Sequence, residues 1–243
     1  ETATLSLKER DEVLRFVVNR TNGRVPIVAG MGSNNTADLV EQLHSFNLDG
    51  VVAILSVVPY YNKPSQEGIY RHFMAVADAS PVPVIIYNVP GRTGLNMTAA
   101  TTLRLAQATP KIVAIKEACG NVEQMQAILD GRPKDFLVLS GDDGITVELV
   151  KRGGDGVISV AANAFPERFC GCVHNAMKGN IALAESEIAE LTPSIDLLFK
   201  EGNPTGVKAM TAAMGITRSE VRLPLVEGTE NLAADIKSAI ARY

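Results

Sequence analysis

Lys116 ends the run Ile112-Val113-Ala114-Ile115-Lys116, a stretch of β-branched and small residues that reads as a buried strand. Period-2 alternation sets Ile112, Ala114 and Lys116 on one face, so a strand facing a barrel interior would hold the amine inside, at its carboxyl end. An ammonium stripped of hydration gives up its proton more readily, and the neutral amine is a nucleophile able to form an imine with a ketone. The structural alternative is a lysine that lays its stem along the strand end and keeps its charge in water. Val113-Ala114-Ile115-Lys116 also spells the protein-kinase strand motif. The kinase Gly-rich loop, His-Arg-Asp loop and Asp-Phe-Gly are all missing, so that reading is set aside.

A second candidate is Tyr87-Asn88-Val89-Pro90-Gly91-Arg92-Thr93-Gly94. Alternation puts Ile85 and Tyr87 on one face, aiming the phenol at the rim that carries Lys116, where it can pass protons to and from a nascent imine. Pro90 and Gly91 turn the chain, and Arg92 follows in a loop where its planar fork suits a carboxylate. Taken singly, Tyr87 also reads as a strand-end aromatic and Arg92 as a solvated loop charge. The third segment, Pro59 to Gly68, holds Tyr60 and Tyr61 side by side in a chain with five tyrosines. Neighbours on extended backbone point oppositely, so one can serve a site while the other packs in an interface. Ser140-Gly141-Asp142-Asp143 lacks a His or third carboxylate spaced for a metal, and Asp142 or Asp143 reads instead as the cap of the next helix. His44, His72 and His174 lie on helical patterns without partners and read as surface or packing residues.

These residues need a frame, and the strongest regularity is an alternation of short apolar strands with amphipathic helices, the mark of a parallel sheet of βα units. Six strands are expected: Val25 to Ala29, Val51 to Val58, Val84 to Asn88, Ile112 to Glu117, Phe136 to Ser140 and Gly156 to Ala161. Ser6 with Glu9 caps the first helix; Asn35 or Thr36, Ser65 and Asn121 open others. From Glu167 to Tyr243 only helical patterns remain, broken at Pro193, at Gly202 to Pro204 and at Pro224. An open doubly wound sheet and part of a closed barrel both accommodate six such strands. Gly30-Met31-Gly32-Ser33-Asn34-Asn35 lacks the third glycine of a dinucleotide fingerprint, which favours the barrel. A barrel needs eight strands, so about two βα units would precede Glu1.

Composition bounds the rest. The 243 residues are 46% hydrophobic and 21% charged, as in an ordinary globular domain, which excludes disorder and collagen. No apolar run approaches the roughly 20 residues of a membrane span, and the amphipathic start does not read as a signal peptide. Twenty-three basic against 27 acidic side chains, net charge -4 with no basic block, argue against a nucleic-acid partner. Three cysteines suit neither a disulfide framework nor a four-ligand zinc site, and a reducing cytoplasm is expected. The Asn-x-Thr triplets at Asn19, Asn34 and Asn96 are read as chance.

Taken together and in order, Glu1 to Leu5, Pro59 to Gly68, Tyr87 to Gly94, Ile115-Lys116-Glu117-Ala118, Leu139 to Asp143 and Gly156 to Val160 resemble the dihydrodipicolinate synthase family, pyruvate-dependent lyases of lysine and diaminopimelate biosynthesis. The resemblance implies a (β/α)8 TIM barrel with a C-terminal helical domain. Residues 1–180 would then supply strands three to eight, and 181–243 a helical appendage. It implies that Lys116 forms the Schiff base with pyruvate, that Tyr87 relays protons, and that Tyr61 reaches a neighbouring subunit's site within a homotetramer. Arg92 would bind the carboxylate of aspartate 4-semialdehyde, with Gly141 and Ile158 as further substrate-binding positions. No cofactor and no metal is expected.

Relatives that cleave sialic acid or keto-deoxy-gluconate share the lysine and tyrosine but usually not the Gly-Arg-Thr-Gly turn, so a sugar-acid aldolase is the alternative. The family also has a Thr-Thr pair just before the residue matching Glu1. On that expectation the chain as written is incomplete as a catalyst, and an inactive fragment is a third reading. Regulated members bind lysine at a dimer cleft matching Thr2, Ala3, Asn34, Asp38 and Tyr60. Leu7 stands where lysine-sensitive members have histidine, and Asp38 where they have glutamate, which puts lysine feedback in question.

Overall fold

Ser6 closes a capping box with Glu9: the Ser6 hydroxyl accepts from Glu9 N–H at 3.3 Å, and the Glu9 carboxylate accepts from Ser6 N–H at 2.9 Å. The helix it starts, α1 (Leu7–Thr21), ends on Asn22 in the left-handed region. The structure is a computed structural model and describes residues 1–241, so Tyr243, the expected end of the helical tail, lies outside the described residues. The chain divides into two compact units, one of Thr2 and Thr4–Gly141, the other of Glu1, Ala3 and the chain from Asp142 onward.

In the first unit α1 is followed by β1 (Val28–Gly30), α2 (Thr36–Ser45), β2 (Ala53–Val57), α3 (Gln66–Ala79), β3 (Val84–Asn88), a single turn α4 (Pro90–Thr93), α5 (Ala99–Ala108), β4 (Ile112–Glu117), α6 (Val122–Gly131) and β5 (Leu137–Ser140). Asn35, Ser65 and Asn121 accept from the third backbone N–H of α2, α3 and α6, which fixes three starts that the sequence marks. The five strands pair in parallel and in chain order. Ile86, Ile115 and Val138 lie in one cross-strand row on the face the helices cover, and all three are fully buried. Phe73, Ile69, Leu39, Leu105, Met125 and Ile128 supply the helical side of this core. The opposite face carries a small apolar cluster of Ala53, Ile85 and Ala114, with Leu55 and Val113 packed against it.

Two expectations need correction here. β1 starts at Val28 rather than Val25, because Pro26 has no N–H to give a ladder. Strict alternation along β4 is also interrupted. The β3/β4 register shifts between Val84 and Ile85, so Ile112 pairs with Val84 while Ala114 pairs with Ile85. Ile112 thus leaves the face that Ala114 and Lys116 share.

In the second unit α7 (Thr146–Lys151) and β6 (Gly156–Val157) precede α8 (Pro166–Met177), α9 (Ile181–Phe199), α10 (Thr205–Ala213) and α11 (Glu230–Ile240). The strand expected to run to Ala161 stops after two residues, because side chains take over its backbone donors. Asp143 accepts from Val160 and Ala161 N–H at 3.1 and 2.8 Å, and Ser159 Oγ from Ala162 N–H at 2.9 Å. The expected helix cap is corrected: Asp142 caps the 3-10 turn Asp143–Ile145 that precedes α7, accepting from Gly144 N–H at 2.9 Å, and the first turn of α7 itself has no side-chain cap. Pro193 does not break the helical tail: α9 runs through it. Leu191, Ile195 and Leu198 are buried on either side of the proline, and their burial offsets its missing hydrogen bond.

Candidate active site

The ends of β3 and β4 build the site. Tyr87 and Lys116 are cross-strand partners on the face opposite the helices, with Lys116 8% exposed and its Nζ 4.3 Å from the centroid of the Tyr87 ring. At that distance the ammonium form gains from the ring's negative face, while the phenol belongs to a partner able to exchange protons nearby. Burial raises the Tyr87 phenol above its ordinary value, and the charge of Arg92 opposes that rise.

Gly141 completes the floor. A Cβ placed on it would stand 3.1 Å from both Cγ and Cε of Lys116 and 2.7 Å from Cβ of Ala118, so the bare glycine is what leaves the lysine stem its path. Its N–H donates to Glu117 O at 2.8 Å, which extends the β4/β5 ladder by one residue.

Arg92 stands exposed at the end of α4, a turn begun by Pro90 and closed by Gly94 at φ +73°. Thr93 braces this turn through its hydroxyl, which donates to Leu95 O at 2.8 Å, and its carbonyl accepts from Tyr61 N–H at 3.4 Å. Tyr61 itself has φ +72°, unusual for a bulky side chain, and is 87% exposed. The rim loops that carry Tyr61 and Arg92 are therefore tied together, and the Tyr61 side chain stands exposed. Among the regulatory candidates, Asn34 and Tyr60 meet: Asn34 Nδ2 donates to Tyr60 O at 3.0 Å. Asp38 accepts from Ser33 and Gln42, and Thr2 and Ala3 are exposed in a short 3-10 turn. Ile158 follows β6 in the second unit and is half-buried.

His72 corrects the expectation that the histidines lack partners. It is buried, its Nδ1 lies 2.9 Å from Thr36 Oγ1, and burial lowers its pKa to about 4. His44 and His174 are exposed. No group of three His, Cys, Asp or Glu side chains fit to hold a metal occurs among the described residues. Nor is any helix there long and apolar enough to cross a membrane.

Residue-by-residue reading missed Asn88 and Glu117, both fully buried on the helix-covered face directly behind Tyr87 and Lys116. Asn88 Nδ2 donates to the two Glu117 oxygens at 2.9 and 3.1 Å. The signal was present: a polar residue next after each candidate, at a position alternation assigns to the core.

The sequence model of the dihydrodipicolinate synthetase family matches residues 1–242. A 4-hydroxy-tetrahydrodipicolinate synthase of Phocaeicola vulgatus is 52% identical over 226 residues, covering 93% of this chain and 76% of the relative. The crystal structure of dihydrodipicolinate synthase from Thermotoga maritima superposes with a TM-score of 0.96 at 32% identity, over 99% of this chain and 83% of the other. The chloride-inhibited dihydrodipicolinate synthase of Acinetobacter baumannii, solved in complex with pyruvate, gives 0.95 at 38% identity, over 99% and 82%.

Proposed function

The chain belongs to the dihydrodipicolinate synthetase family, a lyase of the class I aldolase type, and from that membership we propose how its own residues carry the reaction. The reaction is the condensation of pyruvate with aspartate 4-semialdehyde to 4-hydroxy-tetrahydrodipicolinate, in lysine and diaminopimelate biosynthesis. Neutral Lys116 attacks the pyruvate ketone; the carbinolamine loses water to give the imine, and loss of a methyl proton gives the enamine. The enamine carbon attacks the aldehyde, and the product's amine closes the ring by transimination, releasing Lys116.

Tyr87 passes the protons, and Tyr61 contributes from a neighbouring subunit of a homotetramer; its exposure and positive φ support a side chain presented outward. Arg92 receives the aldehyde substrate's carboxylate, with Gly141 and Ile158 as further substrate-binding positions. The architecture we propose is a (β/α)8 barrel, with residues 1–180 supplying strands three to eight and 181–243 a helical appendage, in a cytoplasmic enzyme. Thr2, Ala3, Asn34, Asp38 and Tyr60 are carried as regulatory positions, with Leu7 removing the imidazole of lysine-sensitive members.

The observation that carries this reading is the pairing of a nearly buried lysine with a tyrosine ring 4.3 Å away at adjoining strand ends. Arg92 beside Tyr87 favours an amino-aldehyde acid over a sugar acid. Borohydride added to the full-length protein with pyruvate should fix a reduced pyruvyl group on the Lys116 peptide, and turnover should prefer aspartate 4-semialdehyde to sialic acid or keto-deoxy-gluconate. Labelling at another lysine, or preference for a sugar acid, would refute it.

A further inference from the structure

We propose that Asn88 and Glu117, bonded to each other on the helix-covered face of β3 and β4, are positioning residues that fix Tyr87 against Lys116 on the other face. The inference rests on the catalytic reading above. Successive residues of a strand point to opposite faces, so the pair Tyr87–Lys116 and the next pair, Asn88–Glu117, back each other through two residues of shared backbone. Whatever holds the second pair holds the first.

The second pair is held from every side. Asn88 Oδ1 accepts from Met97 N–H at 3.0 Å, which fixes the amide so that its NH2 faces Glu117. Glu117 Oε1 also accepts from Cys119 N–H at 2.8 Å, and Oε2 from Gln124 Nε2 at 3.1 Å. All of these partners are donors, which favours the acceptor-only carboxylate, whereas burial pushes the carboxyl's pKa upward. Asn96 continues the chain outward, its Oδ1 accepting from Asn88 Nδ2 at 2.8 Å and its Nδ2 donating to Gln124 Oε1 at 2.8 Å.

Stability alone would not select this arrangement. A buried carboxylate among amides is worth no more, and commonly less, than apolar side chains filling the same volume. What it adds is direction: Asn88 Nδ2 is shared between the two Glu117 oxygens, so sliding β3 past β4 disturbs that contact at the strand ends that carry Tyr87 and Lys116. The need for such a pin is local, because the β3/β4 register is irregular at the other end, between Val84 and Ile85. Past that irregularity the ladder runs in regular register from Ile85–Ala114 to Asn88–Glu117, and the amide–carboxylate pair anchors it at the end where the two catalytic side chains meet.

The test is a double-mutant cycle on the full-length protein, with Glu117→Gln and Asn88→Ala each made in the wild type and in Tyr87→Phe. Glu117→Gln keeps size and one acceptor but turns a donor toward the donors of Asn88 and Gln124. We expect kcat to fall about tenfold while the KM for pyruvate moves less than about threefold, since a misplacement of 1 Å costs on the order of 10²-fold. In Tyr87→Phe, where no phenol remains to be placed, the same changes should cost less than about twofold. If neither buried variant folds, Gln124→Met, which removes one donor from Glu117 at the edge of the network, runs through the same cycle. Equal losses in both backgrounds, or no loss of kcat, overturn the positioning role. Absence of a pyruvate adduct on Lys116 in the wild type itself overturns the catalytic reading and this inference with it, so the two failures are distinct.

Discussion

Gly141→Ala adds a single methyl group beside the lysine, and the outcome can be worked from distances. The new Cβ meets Ala118 Cβ at 2.7 Å, against a preferred carbon–carbon separation of about 3.5 Å, so about 0.8 Å of relief is required. Ala118 cannot yield easily, because its N–H is bonded to Asn88 O at 2.9 Å, and position 141 is bonded to Glu117 O at 2.8 Å. The softer neighbours are Cγ and Cε of Lys116, both at 3.1 Å, which must move by about 0.4 Å or more to regain ordinary contact. Overpacking of this size costs about 1–3 kcal/mol of stability. Moving the amine by that fraction of an ångström should slow imine formation by about tenfold, since 1 Å of misplacement is worth on the order of 10²-fold.

The assay is the initial rate of borohydride inactivation at subsaturating pyruvate, with unfolding by urea measured beside it. A second substitution separates the two effects. Gly141→Ala combined with Ala118→Gly deletes the 2.7 Å contact and leaves both 3.1 Å contacts with Lys116. Stability should return to within about 1 kcal/mol of wild type while trapping stays several-fold slow. If Gly141→Ala alone traps pyruvate within twofold of the wild-type rate, Lys116 is not confined by Gly141. If the double variant recovers both together, general strain caused the loss and the argument from the lysine stem is wrong.

His72 predicts a pH dependence of stability. Its folded pKa of about 4 lies below the ordinary 6.5, so the unfolded chain binds the extra proton first; stability is complete above pH 6.5 and is lost as pH falls toward 4. Going from pH 7.5 to 5.0 should cost the wild type about 2 kcal/mol more than His72→Asn, a comparison in which the buried carboxylates Glu117 and Asp143 cancel. A difference below about 0.5 kcal/mol in urea unfolding would show that the imidazole is protonated without penalty. For Tyr61, mixing Tyr61→Phe subunits with Lys116→Ala subunits should restore activity, because the second can lend its tyrosine to the first subunit's lysine. No recovery after proven subunit exchange would place Tyr61 in its own chain's chemistry or in none.

The sequence made the rim residues legible because local rules decide them. Alternation put Ile85 with Tyr87 and Ala114 with Lys116, and both pairs share a face; Ser6, Asn35, Ser65 and Asn121 cap helices as their types require. The misses occur where a distant group overrides a local one. Ile112 left its expected face because a register shift is a property of two strands and is written in neither alone. β6 ended early because Asp143, far back in the chain, took the N–H groups of Val160 and Ala161. Pro193 stayed helical because Leu191, Ile195 and Leu198 are buried around it, and burial is likewise what gave His72 a partner in Thr36.

Glu117 shows the same limit most sharply. As a letter it is a strand-end charge that solvent would suit; only the approach of Asn88 from β3 and Gln124 from α6, with the Cys119 N–H two residues on, makes it a buried acceptor. Motifs in sequence therefore mark the groups that would touch substrate. The groups that set their distances have to be read from the opposite face of the sheet, where the pattern predicts an apolar residue and finds a polar one.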